Sequence, residues 1–116
     1  MNTTQTSKTR TVAAVLGTSN ADVYTVPANY KTDVISICVS NIVAASRTFS
    51  LDWYESTTAT WHTIAEAVEL DGNSLLQIEN LLFLGQGDKL RALASAASSV
   101  SLLLRVDEYF NPTQIS

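Results

Sequence analysis

At 116 residues the chain has the length of one domain, and a domain of this size buries roughly 65% of its unfolded surface, enough for one core without metal or disulfide staples. Eleven acidic residues against seven basic ones give a net charge of −4, and the bases, scattered from Lys8 to Arg105, form no stripe that could follow a phosphate backbone, which excludes nucleic acid as a partner. One cysteine, one histidine and no apolar run of the roughly 18 residues needed to cross a bilayer exclude a disulfide framework, a zinc site and a membrane helix.

The first ten residues, MNTTQTSKTR, hold no apolar leader and no large buried-type residue after Met1, so a flexible arm on a soluble protein is expected over residues 1–10. TVAAVL at residues 11–16 predicts a first strand, closed by the turn formers of residues 17–20. The second strand, residues 22–26, ends at Pro27, which lacks the amide that continues a ladder. A loop is expected over residues 29–32. Residues 33–42 are almost continuously apolar and predict a central strand, with Ile35, Ile37 and Val39 on one face and Val34, Ser36, Cys38 and Ser40 on the other.

Residues 47–55 alternate Phe49, Leu51 and Trp53 with Thr48, Ser50, Asp52 and Tyr54, the clearest period-two pattern in the chain. After a turn at residues 56–59, residues 60–67 alternate Trp61, Thr63 and Ala65 with His62, Ile64 and Glu66. Ala and Glu also suit a helix, so residues 65–84 stay open to a helical segment. Asp71-Gly72-Asn73 marks a turn, and residues 75–79 and 81–84 follow as apolar strand. From Gly85 to Tyr109 the alternation of Leu90, Ala92 and Ala94, a small polar break and the alternation of Val100, Leu102, Leu104 and Val106 read as a β-hairpin. Regular structure is expected to stop at Asn111-Pro112, leaving a tail over residues 111–116.

About eight short strands with turn residues between them, and few charges, predict an all-β fold: one domain over residues 11–110, a two-layer antiparallel β-sandwich of jelly-roll type. The residues offer little chemistry. His62 has no nucleophile elbow to serve, Gly85-Gln86-Gly87 lacks the lysine of a phosphate-binding loop, and no cofactor or metal is expected. The carboxylates Glu66, Glu69, Asp71, Asp107 and Glu108 read as charged strand ends that keep a sheet soluble, and Cys38 as a small buried hydrophobe. Tyr54, Trp61 and His62 are the surface aromatics that could pack, form a subunit contact or stack on a glycan.

Three stretches together resemble small structural proteins of tailed-bacteriophage particles: a strand ending Tyr-Thr-Val-Pro-Ala at residues 24–28, a strand that stops at Asn41 before a small-residue loop, and the turn from Leu84 to Asp88 that feeds the last strands. The likeness spans about residues 22–109. It implies a β-sandwich that works by assembly in the virion, made in the host cytoplasm: a capsid decoration or cement protein, with a tail, neck or fibre component as the alternative; the surface aromatics Tyr54, Trp61 and His62 leave a host-surface glycan-binding module as a further one. It implies no catalytic residue. Its partners would be other virion proteins, major capsid or tail, and further copies of itself, a trimer being the favoured form. The expected subunit contacts are Leu81, Leu82, Phe83 and Leu84, together with Thr3, Thr4 and Thr9 of the arm.

Overall fold

A computed structural model describes residues 7–110, except for the side chains of Asn80 and Leu81. Eight strands follow one another: β1 (Ser7–Val15), β2 (Ala21–Thr25), β3 (Tyr30–Asn41), β4 (Arg47–Glu55), β5 (Thr60–Leu70), β6 (Leu75–Leu84), β7 (Lys89–Ala94) and β8 (Val100–Phe110). They form two antiparallel sheets of four, in the orders β1-β8-β3-β6 and β2-β7-β4-β5. Only the β4–β5 connection stays within one sheet; every other one crosses between layers. This eight-stranded double-sheet winding is a jelly roll.

The layers close on one apolar core. Phe49, Leu51, Leu90, Ala92 and Ala94 from one sheet face Val34, Ile37, Val39, Leu102, Leu104 and Val106 from the other, all essentially without solvent contact. Strict alternation in β4, β7 and β8 supplies most of these residues, as the period-two pattern requires.

Several expectations need correction. Residues 85–109 are not a hairpin: β7 pairs with β2 and β4, and β8 with β1 and β3, so the two strands confront each other across the core instead of lying side by side. The five residues between them are long enough to cross the roughly 10 Å that separates packed sheets. In β3 the pairing shifts between Val34 and Ser36 against both neighbours, so the buried face is Thr32, Val34, Ile37, Val39 and Asn41, with Ile35 only half-buried. Residues 65–70 and 75–84 are strand, in β5 and β6, as their alternation favours, and the helical alternative for this stretch falls away.

Residues 7–10, expected in the arm, are strand residues of β1 that pair with Tyr109, Glu108, Asp107 and Val106. Thr3 and Thr4, residues 1–6 as a whole and the tail at residues 111–116 lie outside the described residues. β3 begins at Tyr30, inside the stretch expected as loop.

β5 departs from simple alternation twice. Against β4 its register shifts between Phe49 and Leu51 and again between Leu51 and Asp52. Ala67 takes a left-handed φ of 49° in the first irregularity, and its amide donates to the Ser50 hydroxyl at 2.9 Å. The shifts put Val68, Ala65 and His62 opposite Phe49, Leu51 and Trp53, a spacing of three that sequence periodicity does not anticipate.

Candidate functional site

The buried polar residues are placed at the ends of the sandwich, where they bind loops together. At one end Asn41, 2% exposed, donates its side-chain amide to the carbonyls of Ala45 (2.8 Å), Leu70 and Asp71 (3.2 Å each), and accepts from the Val43 amide at 3.1 Å. It thereby joins the β3–β4 and β5–β6 loops. Gly72 lets those loops touch: a Cβ there would stand 1.9 Å from the Ala44 carbonyl oxygen.

At the other end Asp88 accepts from the Trp53 indole (3.2 Å), from the amide and hydroxyl of Ser56 (2.9 and 2.8 Å) and from the Gly85 amide (3.1 Å). The β4–β5 and β6–β7 loops are thus held by one carboxylate, and Gly87 supplies the φ of 83° that the second loop needs. Beside it Glu108, 1% exposed, accepts from the Tyr24 hydroxyl at 2.6 Å and from the Arg10 guanidinium at 2.8 Å, while Tyr24 shares a further hydrogen bond with Thr32 at 2.8 Å. Burial, and then the hydrogen bond to Glu108, push the Tyr24 phenol well above its ordinary range. Glu108 is therefore not the exposed strand end its sequence position predicts. The residues on which the phage-protein resemblance rests, Tyr24, Asn41 and Asp88, are the ones that tie this fold together.

The aromatic candidates divide. Tyr54 and Trp61 are cross-strand partners on the outer face of the β2-β7-β4-β5 sheet, with ring centroids 5.0 Å apart. Arg91 lies 3.8 Å above the Trp61 ring and pairs with Asp52 at 2.9 Å, and Lys89 lies over Tyr54 at 5.5 Å and reaches Asp22 at 3.8 Å. Ring faces that a sugar would stack on are partly covered by cations from the same sheet. His62 stands apart, stacked on Trp53 at 4.8 Å on the opposite side of the strands, and its Nε2 meets Glu55 at 3.0 Å. That hydrogen bond holds the Glu55 carboxyl below its usual range. Sequence reasoning missed Asp52, Lys89 and Arg91. Their signal was available: with Tyr54 they occupy the polar positions of the two most regular strands.

The contact candidates at residues 81–84 also separate. Leu84 is in the core, Leu82 is half-buried against it, and Phe83 is 57% exposed with the Lys31 ammonium 5.7 Å over its ring. The Leu81 side chain lies outside the description. Thr9 is exposed on β1 and donates to Asp107 across the ladder. On the outer face of the β1-β8-β3-β6 sheet, Val15, Leu75 and Leu103 are exposed, and Cys38 sits half-buried opposite Leu103.

Among the described residues the His62 ring is hydrogen-bonded to Glu55, not to a serine or cysteine. The Ser56 hydroxyl faces a carboxylate and a carbonyl, not an imidazole. Among the described residues no group of three or more His, Cys, Asp or Glu is placed to hold a metal ion.

The sequence matches no protein-family model and no curated relative. Solved structures do match. A protein of the disulfide-linked pili of Bacillus endospore appendages superposes with a TM-score of 0.55 at 9% identity, over 95% of this chain and 90% of that one. The capsid structure of Helicobacter pylori bacteriophage KHP30 gives 0.52 at 15% identity, over 97% and 95% of the two chains. The virus-like particle of the extra small virus of the prawn Macrobrachium rosenbergii gives 0.50 at 11%, over 98% and 84%. At these identities the likeness is one of fold: a β-sandwich shared by capsid and pilus proteins, broader than the tailed-phage group.

Proposed function

We propose that the chain is a non-enzymatic structural protein of a virus particle, acting by assembly as a capsid decoration or cement protein of a tailed phage and bound to the major capsid protein and to further copies of itself. The observation that carries this reading is the division of labour among polar residues. Asn41, Asp88, Glu108 and Tyr24 are consumed in tying loops, and what remains for a partner is surface: an aromatic and charged face on one sheet and exposed apolar side chains on the other. Trp, Tyr and Arg, the residues clustered at Tyr54, Trp61 and Arg91, are those that dominate protein contacts.

The capsid likeness is favoured over the pilus likeness by cysteine arithmetic. A fibre linked by disulfides needs at least two cysteines in each subunit, and this sequence has Cys38 alone.

The test uses particles made with and without the protein. Mass spectrometry of purified particles is expected to find it in stoichiometric amount, and particles lacking it are expected to release their genome at a lower temperature, restored on adding the purified chain. Its absence from particles, or equal thermal release with and without it, overturns the proposal. Density at the neck or tail in electron micrographs would move it from shell to tail. Trp61→Ala, which uncovers Arg91, is expected to weaken particle binding without unfolding the chain.

A further inference from the structure

A sheet edge with free amides and carbonyls recruits another strand unless it is short, bulged or charged. Three of the four edges carry such protection. β2 has five residues and a register shift, β5 is interrupted twice and presents Glu66 and Glu69, and β1 carries Lys8 and Arg10. β6 differs. From Leu75 to Glu79 it pairs with β3 residue for residue, Glu79 is its one charged side chain, and Leu75 and Leu76 are 62% and 36% exposed. The flank it borders is apolar as well, since Ile64 and Val68 of β5 and Ile78 and Leu82 of β6 pack on the core yet are only half-buried.

The hydrogen-bond phase of this edge follows from one bond. The Asn41 amide donates to the Ser74 carbonyl at 2.8 Å, and the unbroken register after it makes Leu76 and Ile78 the residues that exchange bonds with β3. The backbone amides and carbonyls of Leu75, Gln77 and Glu79 therefore point away from the sheet.

We propose that residues 75–79 form a two-fold contact with the same residues of a second copy of this chain. Turned about an axis perpendicular to the sheet and centred on Gln77, the second copy places its Glu79 opposite Leu75, its Gln77 opposite Gln77 and its Ile78 opposite Leu76. Every outward amide then meets an outward carbonyl, and the Leu76–Ile78 pairs cover the open flank.

Charge fixes the register. The two Glu79 carboxylates end four residues apart, about 13 Å along the strands, beyond the screening length of roughly 8 Å at physiological salt. Each lies diagonal to the other copy's Gln77, an amide that within the chain already donates to Glu79 at 2.8 Å. Centring the pair on Glu79 instead would set like charges face to face. Pairing with β1 of another copy gains nothing from charge, because Arg10 and Lys8 are engaged by Glu108.

This contact goes beyond the assembly role above and is testable in solution without a particle. In the full chain carrying Cys38→Ser, Gln77→Cys is expected to form a disulfide dimer on mild oxidation, since partners in a hydrogen-bonded antiparallel pair lie about 5.5 Å apart. Thr18→Cys, exposed in the β1–β2 turn, is the control expected to stay monomeric. Gln77→Pro removes an outward amide and no β3 bond; sedimentation velocity should show monomer where the parent is dimer, with unchanged circular dichroism. If that variant does not fold, Gln77→Lys, which opposes two ammonium groups at the axis, should weaken dimerisation about tenfold or more. A parent that stays monomeric at high micromolar concentration overturns the proposal. So does cross-linking at position 77 no faster than at position 18, or growth beyond dimers without a 77–77 cross-link, the mark of β6 pairing with β1.

Discussion

At one end of the sandwich a neutral amide, Asn41, gathers carbonyls from two loops; at the other, two buried carboxylates, Asp88 and Glu108, gather amide, hydroxyl, indole and guanidinium donors. The mechanical task is the same, but the electrical state is not. A clamp made from an amide is indifferent to pH and intolerant of charge. A clamp made from carboxylates carries charge, and the cation that offsets Glu108, Arg10, sits on an edge strand whose residues 7–11 are all exposed.

The strongest way to break this contrast is to exchange the two chemistries. Asn41→Asp changes one atom and turns the donor that serves Ala45, Leu70 and Asp71 into a second acceptor in a buried place. The expected loss is about 4 kcal/mol at pH 7, since a buried charge without a partner costs several. Urea titration checks it, and the variant should recover part of its stability as the pH is lowered and the new carboxyl takes up a proton. A variant as stable as the parent at pH 7 would mean that the amide bonds carry no weight.

Next in size is the cation. Arg10→Met leaves Glu108 buried with only Lys8, 3.9 Å away, for a counter-charge, and is expected to cost about 3 kcal/mol. Glu108→Gln should cost less, because the half-exposed Arg10 can turn to water. In the double variant the penalty of Arg10→Met should largely vanish. A cycle that is additive within about 0.5 kcal/mol would show that the pair is not coupled.

Much of the architecture is legible in the sequence, because an inward and outward alternation is written into β4, β7 and β8 and the turns between strands are rich in Gly, Pro, Asn and Asp. What is not legible has two physical sources. Bulges shift the phase of β3 and β5, so Ile35 exchanges places with Val34, and His62 and Ala65 come to share a face although three residues apart. Pairing partners are long-range, so an apolar run such as β8 does not say whether it lies beside β7 or across the core from it. The same distance hides the candidate surface. Asp52, Tyr54, Trp61, Lys89 and Arg91 become one patch only when β4 is inserted between β5 and β7, and Glu108 becomes a buried ion only when Arg10, at the far end of the chain, is laid over it.

Asp88→Asn is the mirror of the first exchange and should be milder. The carboxamide keeps one acceptor oxygen but presents an NH2 group to donors from Trp53, Ser56 and Gly85, at a cost of about 2 kcal/mol. Its signature lies in the indole: Trp53 fluorescence should shift as the Nε1 hydrogen bond is lost, whereas Asn41 variants should leave it alone until they unfold.

The smallest effect separates the ends by alkali. The Tyr24 phenol, desolvated and donating to Glu108, holds its proton above the ordinary 10.0, so the native chain keeps a proton that the unfolded chain gives up. Its contribution is therefore complete below pH 10 and declines as the pH rises beyond, by about 1.4 kcal/mol for each unit once the unfolded phenol is ionised. Tyr24→Phe gives up the bonds to Glu108 and Thr32, about 1 kcal/mol at pH 7, but it also removes this slope. Urea midpoints at pH 7, 10 and 11 should thus converge between parent and variant as the pH rises. Parallel curves would mean that Tyr24 ionises in the folded chain as freely as in the unfolded one, and that the acidic end is less closed than its hydrogen bonds require.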